Sequence, residues 1–256
     1  MCKKIFLFLC FLFWAKGGFA LSAAQHMAVQ IGIFDAAEVD LFYTFGETDF
    51  DIKADVVTTN VFDTLYPFRA NYEAKGQLIK GDVLPSIYTV YSKTRKHVRT
   101  KQIFYDDEGK AYKRISAKDK RVKEMKITGV PPTANAADLQ SVFATFILFY
   151  KENRSCKMVR EVYDGKKHYK IFGEDKGQEL RFVPFLQSQI RTQACHIYLK
   201  NLKDNEDALL DASADRPIKL WLASDGKTEF PFVVEIGIDS TPLGALKVTP
   251  ITLDIH

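Results

Sequence analysis

The sequence predicts a mainly β protein: a single domain of antiparallel strands and hairpins, with one buried helix near residues 138–150. Three observations carry this. Alternating or apolar runs bounded by turn residues recur along the chain, which is the pattern of strands that lay one face on a core. Asp164-Gly165, Asp225-Gly226 and Glu108-Gly109 each separate two such runs. Asp-Gly suits a tight hairpin because both central residues of a type I′ turn need positive φ; Glu-Gly does so more weakly. The run after Asp138 has helical spacing and is apolar almost all round, so it belongs inside the fold.

Composition sets the class. The chain has 256 residues, 46% of them hydrophobic, which excludes a disordered tail. Glycine (14) and proline (9) are too few for a fibrous protein, and four cysteines do not make a disulfide-dense miniprotein. With 36 basic and 32 acidic side chains the net charge is +4, too even for a nucleic-acid binder.

The first residues read as an address. Lys3 and Lys4 precede an apolar run from Ile5 to Ala15, then Lys16, glycines and small residues. This is the layout of a secretory signal peptide, and the run is well short of the ~20 residues that span a bilayer. Cleavage is expected after Ala20 or within Ser22-Ala23-Ala24; Ala24 is the preferred site, giving a leader of residues 1–24 and a domain of residues 25–256. The leader holds three lysines and no acid, so its loss lowers the charge from +4 to +1. The expected location is periplasmic, and the released chain is not an integral membrane protein.

Strands are expected at Val39 to Phe45, Phe50 to Phe62, Tyr66 to Leu78, Ile87 to Tyr91 and Val98 to Tyr105. Pro131-Pro132 is the best internal break, but too short for a domain linker. Asp138 caps the helix, followed by Leu139, Val142, Phe143, Phe146, Ile147 and Tyr150; a buried strand through Phe146 to Tyr150 competes. A two-residue turn at Asp164-Gly165 would pair Tyr163 with Lys166 and Met158 with Ile171. Cys156, Met158, Val162, Tyr169 and Ile171 then share the core face, with Arg160 as an exception, and Lys157, Glu161 and His168 share the wet one. Asp204 to Ala214 reads as a polar helix or a loop.

Across Asp225-Gly226, Trp221 would oppose Phe230 and Lys219 would oppose Phe232, and both faces of the pair are apolar. Such a pair is either covered on both sides or lines a groove for an apolar ligand, with Phe143, Phe146, Trp221, Phe230 and Phe232 as its wall.

Cys156, His168, Cys195 and His196 could hold zinc by composition. The cysteines fall on apolar faces and the histidines on polar ones, so a Cys156–Cys195 disulfide in an exported chain is the better reading. No G-x-S-x-G, H-E-x-x-H or glycine-rich phosphate loop occurs, and no cofactor or enzymatic activity is expected. Charge is segregated. Asp35 to Asp63 has eight acids and one lysine; Lys93 to Lys126 has thirteen bases and five acids. Lys93, Arg95, Lys96, Arg99, Lys101, Lys113 and Arg114 form a candidate patch for an anionic envelope component, or a solvated hairpin face.

Pro131 and Asp138-Leu139-Gln140-Ser141 resemble a known pattern of proline followed by Asp-x-x-Ser. Cys156, then Tyr163-Asp164-Gly165-Lys166-Lys167-His168-Tyr169, Cys195, Leu220-Trp221-Leu222, Pro231 and Gly244 are similar to the same family's later motifs. The family is that of bacterial exported proteins grouped as domain of unknown function 3108, in its alphaproteobacterial form. The resemblance spans most of Val39 to Leu253 and is best from Pro131 onward. It implies an exported, mainly antiparallel fold, a long curved sheet of half-barrel or barrel form around the Asp138 helix, and no activity. The expected function is non-enzymatic binding of a lipid or other apolar or anionic envelope ligand. The alternative is a protein-interaction module with a solid core.

Overall fold

The computed structural model describes residues 21–127, 136–164, 167–201, 216–224, 226 and 229–256. The Pro131-Pro132 break, the Asp204 to Ala214 segment, Gly165 and Asp225 lie outside the described residues, as does the leader up to residue 20. The first half of the chain is β1 (Leu21–Ile31), β2 (Phe34–Phe45), β3 (Asp49–Thr58), α1 (Asn60–Leu65), β4 (Phe68–Ile79), β5 (Asp82–Thr94), β6 (Val98–Tyr105), β7 (Ala111–Lys118) and β8 (Arg121–Lys126). The second is β9 (Ala136–Ala137), α2 (Leu139–Asn153), β10 (Val159–Tyr163), β11 (His168–Val183), β12 (Ser188–Asn201), β13 (Ile218–Ser224), β14 (Pro231–Thr241) and β15 (Gly244–Ile255).

These strands make one curved, unclosed sheet in the order β8-β7-β6-β5-β4-β3-β2-β1-β15-β14-β13-β12-β11-β10-β9. All neighbours are antiparallel except the two-residue β9, which runs parallel to β10. Each half is a plain meander, and the halves join where the first strand pairs with the last, from Ala23↔Ile255 to Ile31↔Leu246. Register shifts interrupt several ladders, for example at Lys75/Gly76, Phe104/Tyr105 and Trp221/Leu222. Each adds local twist and bends the strand, which lets so long a sheet curl.

Most expected strands are present. Phe50 to Phe62 overshoots: after Thr58 the chain turns into α1. The sequence also hides a hairpin at Lys80-Gly81, where both residues have positive φ (53° and 86°). At Glu108-Gly109 the connection runs from Asp106 to Lys110; the Asp106 carboxylate accepts from the Glu108 and Lys110 N–H groups, and Gly109 takes φ 74°. The preferred leader boundary after Ala24 falls within β1, where Ala23 is buried and Ser22 and His256 exchange two backbone hydrogen bonds of 3.0 and 2.9 Å.

The helix forms as the spacing predicts, and the competing strand does not. Ser141 donates its N–H to Asp138 Oδ1 at 2.9 Å and its hydroxyl to Oδ2 at 2.7 Å, so the side chain caps the first turn. Arg154 ends the helix in the left-handed region and donates its N–H to the Tyr150 carbonyl. α2 lies in the concavity of the sheet, packed on β3, β4 and β5 to one side and on β10 and β14 to the other. Ala144 and Ile147 are fully buried there among Tyr43, Ile52 and Ile103.

Two hairpins depart from the expected register. In β10–β11, Tyr163 pairs with His168 across a four-residue connection, not with Lys166. The slip is two residues, so faces are preserved and Cys156, Met158, Val162, Tyr169 and Ile171 are all buried as expected. In β13–β14, Trp221 pairs with Glu235 and Ala223 with Phe232, on either side of a bulge. Leu220, Leu222 and Val233 therefore face α2, while Trp221, Ala223, Phe232 and Val234 form a second small core on the other face. Val183, Phe185 and Ile190, from the far end of the β11–β12 hairpin, cover that core. The pair is covered on both sides, which explains why both its faces are apolar.

Candidate ligand-binding site

The structure divides the five residues expected to wall an apolar groove. Phe143, Phe146 and Phe230 face the concave core, and Trp221 and Phe232 the outer one. Phe230 precedes the first residue of β14, so strand alternation did not apply to it; it stacks on Tyr43 at 5.4 Å between ring centroids. Trp221 is held in place by polar partners. Its indole N–H donates to Glu179, and the Arg181 guanidinium lies 3.8 Å over its ring and 3.3 Å from Glu235. A ring packed and bonded in this way is structural.

Beside α2 on the concave side lies an apolar crevice of about 100 Å³, between the helix and the wall of β10 to β13; a larger, polar-edged cavity of about 250 Å³ lies between the helix and the β4–β5 and β6–β7 turns. Leu139, Val142, Phe143 and Phe146 line the apolar crevice from the helix; Met158, Ile171, Gly173, Ile197 and Leu220 line it from the sheet side. Leu139 stands half exposed at its mouth. Two features hold the wall. Cys156 and Cys195 form the expected disulfide, with Cα atoms 5.8 Å apart. Gly173 allows the Cys156 carbonyl to approach so closely that a Cβ there would meet it at 2.1 Å. The turn after α2 is tied further by Asp175, which accepts from the Cys156 N–H at 2.7 Å and from the Ser155 hydroxyl at 2.8 Å.

Two polar contacts, one buried and one half-buried, join the two halves across the open side of the sheet. Tyr105 on β6 donates its hydroxyl to Asp138 Oδ2 at 3.2 Å, and Lys101 on β6 donates to the Asp164 carbonyl at 2.5 Å. Burial pushes the Asp138 carboxyl up, only partly offset by its hydrogen bonds from Ser141 and Tyr105. Burial also lowers the Lys101 ammonium and raises the Tyr88 and Tyr105 phenols. The sequence marked Asp138 as a cap and Lys101 as a surface cation. The clasp between the halves was not legible, because it depends on residues 33 and 63 positions apart meeting across the curl.

The seven cations of the expected anion patch do not share a face. Lys101 and Arg114 lie on the concave side in register with Val90 and Ile103, and Arg99 shares that side. Lys93 and Lys113 point to the convex side, where Lys113 Nζ lies 4.4 Å from the Phe104 ring. Arg95 and Lys96 occupy the β5–β6 turn. The cause is strand alternation, which sorts a cationic run onto two faces. Among the described residues no helix is long and apolar enough to cross a membrane.

No protein-family model matches the chain, and no curated protein matches it. Among solved structures it is similar to a β-barrel-like protein of domain of unknown function DUF1849 from Brucella abortus. The TM-score is 0.52 at 11% sequence identity, over 93% of this chain and 98% of that one. The likeness is one of fold alone: that protein is β-barrel-like, and this chain is a mainly antiparallel sheet that curls without closing.

Proposed function

We propose that the protein is exported to the cell envelope and acts there as a non-catalytic binding module, taking the end of one apolar chain in the crevice beside α2. The observation that carries this is the crevice lining, in which no polar side chain takes part. Size limits the ligand. About 100 Å³ is less than the ~150 Å³ that holds a benzene ring, so the crevice accepts a chain tip and not a whole lipid. Membership of the exported family grouped as domain of unknown function 3108 belongs to this reading; its motifs fall on the Asp138–Ser141 cap and on the Cys156–Cys195 bridge.

A fluorescent fatty acid titrated into the purified protein is expected to bind saturably at one site. Leu139→Asp, at the half-exposed mouth, is expected to weaken it tenfold or more with the fold intact. If no apolar probe binds and native mass spectrometry finds no co-purified lipid, the solid-core interaction module takes its place. That second reading is favoured by Leu180, Phe182 and Leu186, all exposed on the β11–β12 hairpin and its tip.

Export fixes a further outcome. A cut after Ala24 would remove Leu21 to Ala24 from β1, including buried Ala23 and the Ser22–His256 pair. A cut after Ala20 leaves the strand whole. Intact mass of the released protein is therefore expected to begin at Leu21; a start at Gln25 would contradict it.

A further inference from the structure

We infer that one rim of the curled sheet docks on a lipid bilayer that carries anionic headgroups. In a meander the turns alternate between two ends. The β1–β2, β3–β4, β5–β6, β7–β8 and β14–β15 connections therefore share one rim. Hydrogen bonds link most of them in sequence around it. The Gly32 N–H donates to the Ala245 carbonyl at 2.8 Å, Thr59 N–H to Ala36 at 3.0 Å, and Arg95 to the Thr64 carbonyl at 2.6 Å. Val98 N–H then donates to the Asp119 carboxylate at 3.0 Å.

Along this rim an apolar arc adjoins a cationic one. Ile33 is 90% exposed, Tyr66 70%, Leu243 65%, Leu65 59%, Val61 55% and Phe34 54%. Single exposed apolar side chains are ordinary, but six on adjoining turns form a patch with no packing role. Beyond α1 the same rim carries Arg95, Lys96, Lys118, Lys120 and Arg121, all exposed, against Asp119 with its His97 partner and, within the apolar arc, Asp35 and Asp63. The opposite rim has another balance: its β2–β3 and β6–β7 turns present Glu47, Asp106, Asp107 and Glu108, against Lys80 and Lys110. An anionic surface attracts the first rim and repels the second, so charge orients the molecule before the apolar turns reach the headgroup–acyl boundary. This stands on the rim alone and uses none of the crevice residues.

Flotation of the purified chain with vesicles of phosphatidylcholine, with and without phosphatidylglycerol at roughly one lipid in three to give an anionic surface, tests it. Anything that precedes Leu21 is common to all variants, so differences between them read the rim. Wild type is expected to bind the anionic vesicles and to lose binding as salt is raised. Lys96→Gln with Lys120→Gln is expected to weaken that binding about 25-fold, at roughly fivefold per cation. Ile33→Ser with Leu243→Ser is expected to weaken it tenfold or more, and neither residue has a core role that would compromise folding. An Ile33→Trp reporter is expected to shift its emission to the blue on these vesicles and to be quenched by brominated acyl chains. Absence of wild-type flotation, flotation that survives both double substitutions, or a reporter that stays unquenched on bound protein would each overturn the inference.

Discussion

Replacing Cys156 and Cys195 together by alanine is expected to lower the unfolding free energy by about 4 kcal/mol. The bridge closes a loop with a sequence separation of 39, and both cysteines are fully buried. Chain entropy alone gives that size for such a loop, and the two small cavities left behind add to it. The loss has a local reading as well. The bridge fastens the turn after α2 to β12, so hydrogen exchange at the last turn of α2 is expected to speed up more than exchange in β2 or β3. Urea unfolding of the wild type with and without reductant, beside the double variant, measures it. A difference below 1 kcal/mol would mean that the remaining packing fixes this segment without the bridge.

Asp138→Ala is expected to cost about 3 kcal/mol. One part is the lost cap; the rest is the Tyr105 hydroxyl, left buried without its acceptor. Asp138→Asn keeps an oxygen for the Ser141 N–H and sheds the charge, so it is expected to recover most of the loss. The pH dependence separates the two roles. Burial holds the Asp138 carboxyl above its value in the unfolded chain, so the folded state binds the proton more tightly. Stability from this group is therefore full at low pH and falls as pH rises through the unfolded value towards the folded one. The gap between wild type and Asp138→Asn, followed by chemical unfolding from pH 4 to pH 8, is expected to move in the asparagine variant's favour as pH rises. A gap that is flat with pH would show that solvent reaches the carboxylate.

Local chemistry in the sequence was enough to place most strands, the capped helix and the disulfide. Faces survived even where register failed: Tyr163 meets His168, not Lys166, yet a slip of two leaves Val162 and Tyr169 on the core side. Where the chain broke its own alternation the reading failed. The bulge after Trp221 and the position of Phe230 ahead of β14 sent two groups of aromatic side chains to opposite faces. Lys80-Gly81 carries no hairpin signal in the sequence, because lysine seldom takes positive φ. The crevice and the Lys101–Asp164 and Tyr105–Asp138 clasp depend on how far the sheet curls, which no local pattern states. Gln25 shows the same limit. It is buried on β1, where its amide exchanges two hydrogen bonds with the Val233 backbone and its oxygen accepts from the Tyr43 hydroxyl. In the sequence it is one polar residue beside a run of small ones.

The pairing of β1 with β15 governs the order in which the molecule can be finished. A chain made from its amino terminus can zip β1 to β8 by neighbouring hairpins while the rest is still unmade. Throughout that time one edge of β1, with Ala23 and Met27 awaiting their cover, has no partner. The partner is the last strand produced, so a nascent or truncated chain ending before Gly244 carries a long unpaired edge in what should be the middle of its sheet. Completion is thus a single late event, and a lesion near the carboxyl terminus strands the half of the protein that folded first.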